Sequence, residues 1–179
     1  MNTIIIYSSK YGCTKDCANI LKNKLSDNVT IVDINNNNNK IELSKFDKII
    51  IGSSIYVGSV SKKIQVLCND NVELLNKKQV GIFLCCGFSE QADKYLKSNF
   101  PSSLLESANA IGIFGSEARL EKMKFLDKLI MKAVSKGNYD SFRISQDNID
   151  LSLIHSVSAD AADSEDIGGL CIFKKKNES

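Results

Sequence analysis

No CxxC pair occurs among the six cysteines of this 179-residue chain, Cys13, Cys17, Cys68, Cys85, Cys86 and Cys171, and there is a single histidine, His155. Metal-ligand spacing is therefore absent, and a disulfide framework does not suit a chain of this length. Reduced thiols, buried or half-buried, are the expectation. No apolar run approaches the eighteen or so residues of a membrane span, and the opening "MNTIIIYSSK" lacks the basic flank of a signal peptide. A cytoplasmic protein is expected. Charge of one sign is lacking too: 23 basic against 21 acidic residues give a formal net charge of +2. That balance offers no footprint for a polyanion and argues against nucleic acid. Neither GxxxxGK[ST] nor GxGxxG appears, which removes the nucleoside-triphosphate loop and the dinucleotide fingerprint.

What is present is alternation. Five apolar runs, "TIIIYSS" (3–9), "VTIVDI" (29–34), "KIIIGSS" (48–54), "QVGIFLCC" (79–86) and "NAIGIFGS" (109–116), read as strands. Unbroken Ile, Val, Leu and Phe of that length suit strands covered on both faces, as parallel strands are. Between them the apolar period becomes helical: Thr14, Ala18, Leu21, Leu25; then Val60, Ile64, Leu67, Cys68; then Phe88, Ala92, Tyr95, Leu96, Phe100, closed by Pro101. Strand–helix alternation with right-handed crossovers gives a doubly wound α/β sheet of five parallel strands. The asparagine run 35–39 reads as a solvated loop. Residues 116–137 read as a further helix with Leu120, Met123, Leu126, Ile130 and Val134 on one face, and 145–157 as a closing helix. With no internal repeat or linker visible, residues 1–158 form one domain carrying a helical insert at 116–144. The tail 159–179 is expected to be loosely held.

The stretch "YSSKYGCT" (7–14) needs more explanation than a turn. It lies beyond the carboxyl end of the first strand, where sheets of this kind place ligands. Gly12 allows a tight turn and close backbone approach, while the helix starting near Thr14 aims N–H groups and its positive dipole end inward. Ser9 and Thr14 add hydroxyls. Together these suit a phosphate. A bare turn with incidental serines is the alternative.

The segment "IIYSSKYGCTKDCANIL" resembles the flavodoxin signature at Ile5, Ile6, Tyr7, Ser9, Gly12, Thr14, Ala18 and Leu21. The resemblance implies strand order 2-1-3-4-5 and a bound flavin mononucleotide, FMN, with its phosphate held by Ser9, Lys10, Tyr11, Gly12, Cys13 and Thr14. Tyr11 stands where flavodoxins usually carry threonine, but its backbone N–H is retained. Lys10 could add charge or point to solvent; Cys13 contributes its amide. The same resemblance places the isoalloxazine between Ser53, Ser54, Ile55, Tyr56, Val57 and Gly58 after the third strand and Cys86, Gly87, Phe88 and Ser89 after the fourth, Tyr56 being the stacking aromatic. No side chain is then required as acid, base or nucleophile, because the flavin carries the electrons.

The insert and "IGSSIYVG" are similar to the flavodoxin-like protoporphyrinogen oxidases that use menaquinone as acceptor. That likeness implies an FMN-dependent oxidoreductase, with a quinone or small-molecule substrate and peripheral membrane contact through 116–137. Two other readings are a one-electron carrier serving a reductase or iron–sulfur partner, and a flavin-free binding module.

Overall fold

The computed structural model describes residues 1–26, 28–115 and 119–135. Five strands, β1 (Asn2–Ser8), β2 (Asn28–Asp33), β3 (Lys48–Ser54), β4 (Gln79–Cys85) and β5 (Ala110–Ile113), pair in parallel in the order β2-β1-β3-β4-β5. This is the expected doubly wound sheet. The chain reverses its lateral direction after β2, so the ends of β1 and β3 flank the switch point. Register sets them level: Ser8 pairs with Ser53, and Ser54 with Cys85. Three loops therefore leave the sheet side by side.

Side-chain alternation along the strands divides the core into two layers. Ile4, Ile6, Ile49, Ile51, Ile82 and Leu84 face one way, against Ile64 and Cys68 of α2 (Lys62–Asp70), Leu96 of α4 (Ala92–Asn99) and Leu104 of α5 (Ser102–Ser107). Ile5, Tyr7, Ile50, Phe83 and Cys85 face the other way, against Cys13, Cys17, Ala18 and Leu21 of α1 (Cys13–Lys24). Phe83 stacks on Phe114 with centroids 5.0 Å apart, over Gly52; a Cβ there would lie 2.0 Å from the Phe83 ring, so the layer closes only because position 52 has no side chain.

Several boundaries differ from the sequence expectation. A one-turn helix α3 (Val72–Leu75) follows α2. Phe88 is not helical; it precedes a 3-10 turn at Ser89–Gln91 that leads into α4. Pro101 does close that helix, with Phe100 extended as a residue before proline must be, and α5 starts again immediately after. β5 is shorter than 109–116, although Asn109 and Phe114 extend its bonding to Val80 and Leu84.

The insert departs most. Its single expected helix is a 3-10 turn at Leu120–Lys122 followed by α6 (Phe125–Ser135). The break at 123–124 resets the helical phase: Met123 turns inward as expected, but Leu126 is 71% exposed and Asp127 takes the inward place instead. The closing helix expected at 145–157, His155 and the tail lie outside the described residues.

Candidate functional site

The β1–α1 loop is built almost entirely from local contacts. Gly12 sits at φ 99°, a left-handed conformation that lets α1 start within four residues of the strand end. Its N–H donates to Ser9 Oγ at 3.0 Å, and its carbonyl accepts the first helical bond from the Asp16 N–H at 3.0 Å. Thr14 is fully buried, and its hydroxyl has no hydrogen-bond partner among the described residues. Buried polar atoms are normally paired. An orphaned hydroxyl beside a left-handed glycine and a twelve-residue helix start fits an anion such as a phosphate oxygen. The loop is laced from the strand-2 side by Asn35: Ser8 Oγ donates to its Oδ1 at 3.1 Å, and its Nδ2 donates to the Ser9 carbonyl at 3.2 Å. Lys63 Nζ holds that segment in turn, donating to the carbonyls of Ile34 and Asn35 at 2.9 and 3.0 Å. Part of the asparagine run, expected as solvated loop, is thus a strut of the site.

The segment after β5 returns over this loop. Arg119 pairs with Asp16 at 2.6 Å, and its Nη1 lies 2.9 Å from where a Cβ on Gly12 would be. A guanidinium therefore stands against the glycine of the cradle. Asp127 of α6 is buried and accepts from the hydroxyls of both Tyr11 and Tyr56, while Lys10 Nζ lies 3.0 Å from its Oδ2. Lys10 also sits 3.3 Å above the centroid of the Tyr56 ring, a cation–π contact. Between the two fates open to Lys10 in the sequence, it takes neither bulk solvent nor the phosphate loop alone; it bridges the first and second loops. Asp16, Arg119 and Asp127 were not foreseen as site residues. A carboxylate standing in the first turn of the apolar "FLDKLI" was the available signal for Asp127.

The second loop is a tight turn. Tyr56 and Ser59 exchange both backbone hydrogen bonds, at 2.9 and 3.1 Å, around Val57 at φ 49° and Gly58 at φ 77°. Two successive positive φ values suit Asn-Gly; a β-branched residue in the first position is strained. Val57 is 72% exposed and packs little. Val57→Asn should therefore stabilise the protein by about 1 kcal/mol. The urea midpoint reads this, and an unchanged or lower midpoint would contradict the strain. Ser53 is buried with its hydroxyl donating to the Ser54 carbonyl and accepting from the Ser61 N–H, so it braces the loop. Ile55 donates its N–H to the Cys85 carbonyl at 3.0 Å, joining second loop to third.

In the third loop, Cys86 turns its sulfur into the core, where burial pushes the thiol up to about 11. What it can offer a ligand is main chain. Gly87 and Ser89 are exposed and Phe88 is half-buried. Asn99 ties α4 to the second loop and α2: its Oδ1 accepts from the Val60 N–H at 3.0 Å and Gln65 Nε2 at 2.8 Å, and its Nδ2 donates to the carbonyls of Gly58 and, within its own helix, Tyr95 at 3.2 and 2.8 Å. The fold thus gathers all three segments named from the sequence at one end of the sheet.

No curated protein sequence matches this chain. Among solved structures, a flavodoxin, WrbA-like protein from Agrobacterium tumefaciens is 22% identical with a TM-score of 0.45, over 59% of this chain and 70% of that one. A flavoprotein in complex with FMN from Lactobacillus acidophilus is 17% identical with a TM-score of 0.43, over 63% and 89%. Rubredoxin oxygen:oxidoreductase from Desulfovibrio gigas is 14% identical with a TM-score of 0.48; the match covers 78% of this chain but 35% of that longer protein. The family assignment comes from the sequence itself. The family model of the flavodoxin domain spans residues 4–145, from the first strand through the loops and the whole 116–144 segment, and the chain belongs to that family.

Proposed function

We propose that this chain is an FMN-dependent redox protein. The observation that carries the reading is the buried, unpartnered Thr14 hydroxyl beside left-handed Gly12 and the Arg119 guanidinium. Ser9 through Thr14 would hold the phosphate, and Ser53–Gly58 with Cys86–Ser89 would bracket the isoalloxazine. When bound, FMN supplies the electron transfer. The chain's own residues orient and tune: Arg119 neutralises phosphate charge, Tyr56 offers a ring face, and Lys10 with Asp127 fixes that ring's position.

Arg119→Ala tests the cradle. It should weaken FMN by about 10- to 100-fold, the loss of one charge-assisted contact, and leave riboflavin, which has no phosphate, unchanged. Fluorescence-quenching titrations of both flavins read the difference. Equal losses, or none, would remove the phosphate from this loop.

Within that reading the finer assignment is an oxidoreductase resembling the menaquinone-dependent protoporphyrinogen oxidases. The position of the insert supports it, since 119–135 reaches back to the cofactor loops through Arg119 and Asp127. Its outer side presents Phe125, Leu126 and Leu129, all exposed, among exposed Lys122, Lys124, Lys128 and Lys132. An apolar ridge ringed by lysines suits an anionic bilayer surface, where a quinone resides. No helix among the described residues is long and apolar enough to cross a membrane. Quinone reduction driven by protoporphyrinogen on anionic vesicles supports the enzyme. Exchange of single electrons with an iron–sulfur protein, without quinone turnover, supports the carrier instead.

A further inference from the structure

Beneath the phosphate loop, on the α1 side of the sheet, three thiols meet. Cys13 is the first residue of α1 and Cys17 lies one turn on, so the two share a face. Cys85 ends β4, and strand alternation turns it toward α1 with Phe83, away from Leu84 and Cys86. All three sulfurs lie within 4.8 Å of one another, with Cys17 and Cys85 3.6 Å apart. Cys17 is 0%, Cys85 1% and Cys13 7% exposed, and none is in a disulfide. The sequence spacing gave no reason to expect a ligand set here; the fold assembles one.

We propose that Cys13, Cys17 and Cys85 form a three-sulfur capture site for a trivalent, thiophilic metalloid, of which arsenite is the simplest soluble form. The choice of ion follows from coordination number and charge. Zinc completes four ligands, with a fourth side chain or a water. The three cysteines share a core layer with Ile5, Tyr7, Ala18, Ile50 and Phe83, of which only Tyr7 carries a polar side-chain atom, and no fourth His, Cys, Asp or Glu among the described residues joins the sulfurs. Monovalent copper accepts soft sulfur, but three thiolates around it leave two negative charges in an apolar layer. Burying unpaired charge costs several kcal/mol for each ion. Those charges would also oppose any anion drawn to the same helix start.

Arsenite avoids both penalties. Three As–S bonds form as three As–O bonds break, and each thiol proton leaves with a hydroxyl as water. No electron moves, and the product is neutral. The exchange consumes the neutral thiol and needs only that the three sulfurs stand within reach of one centre, as they do here. Cys13, the most exposed of the three and next to Gly12, is the way in.

The test uses the full chain with its bound flavin, sodium arsenite and a phosphine reductant. Native mass spectrometry should show one arsenic gained and three hydrogens lost, and X-ray absorption should show three sulfur neighbours and no oxygen. Cys17→Ser and Cys85→Ser should each cut uptake at least tenfold, whereas Cys68→Ser and Cys171→Ser should keep it. Uptake that survives Cys17→Ser, a spectrum with two sulfurs and one oxygen, or binding of Cu(I) but not arsenite would each overturn the assignment. The wild-type spectrum decides the matter should either serine variant fail to fold, and none of these readouts depends on where FMN binds.

Discussion

Gly12→Leu is expected to yield a folded protein that retains no FMN. Two independent effects act at this position. A φ of 99° is costly for any residue with a Cβ, by about 1–2 kcal/mol, which shifts the loop toward a different turn. The new side chain also starts 2.9 Å from Arg119 Nη1 and must drive the guanidinium off the cradle or occupy the cradle itself. Losing two or more charge-assisted hydrogen bonds, at about 1.5–3 kcal/mol each, weakens binding by at least about 100-fold. The Asn35 lacing runs through Ser8 and Ser9 and the strand pairing does not involve Gly12, so the sheet should survive with its circular dichroism unchanged. Flavin content after purification, read from the visible spectrum, is the measurement. Stoichiometric FMN in the variant would place the phosphate elsewhere.

The second large effect is on alkaline stability. Burial pushes Cys68 up to about 12 and Cys86 to about 11, against 9.0 for an unperturbed thiol, and hydrogen bonding to Cys13 together with burial raises Cys17 and Cys85 as well. Above pH 9 the unfolded chain releases these protons while the folded chain keeps them. The unfolded state then binds fewer protons, so stability falls as pH rises, and it is fully present only below the unfolded value. Each retained proton lowers stability by about 1.4 kcal/mol per pH unit. Cys68 and Cys86 alone remove on the order of 5 kcal/mol between pH 9 and 11, comparable to the whole stability of many domains. Urea midpoints should therefore collapse over that interval, and Cys68→Ala should flatten the slope even though it lowers stability at pH 7. A midpoint steady to pH 11 would show that these thiols titrate normally.

Much of the architecture was legible because its causes are local. Parallel strands need apolar cover on both sides, so Ile4–Ile6, Ile49–Ile51 and Val80–Leu84 appear as unbroken runs whatever surrounds them. The conformation of the Ser9–Thr14 loop was readable for the same reason: its glycine and helix start lie within one short stretch. Residues that reach the site across the chain left no such trace. Arg119 meets Asp16 from 103 residues away, and Asp127 meets Tyr11 from 116 away. Asn35 hid inside a polar run that composition alone marks as loop. The phase of α6 was misjudged because periodicity cannot show where a helix starts, and a break two residues before Phe125 exchanges an expected inward leucine for a carboxylate. Cys13 and Cys17 were one turn apart on paper, but their third partner sits 68 residues beyond Cys17.

Asn99 gives the loop end of the sheet a mechanical property that neither the turn after β3 nor the helix after β4 has alone. One amide, carried by the helix after β4, grips the turn after β3 through Gly58 and Val60. The turn and the helix are consequently pinned together, and neither shifts while the other stays put. A displacement of either one is therefore transmitted to the other through a single side chain.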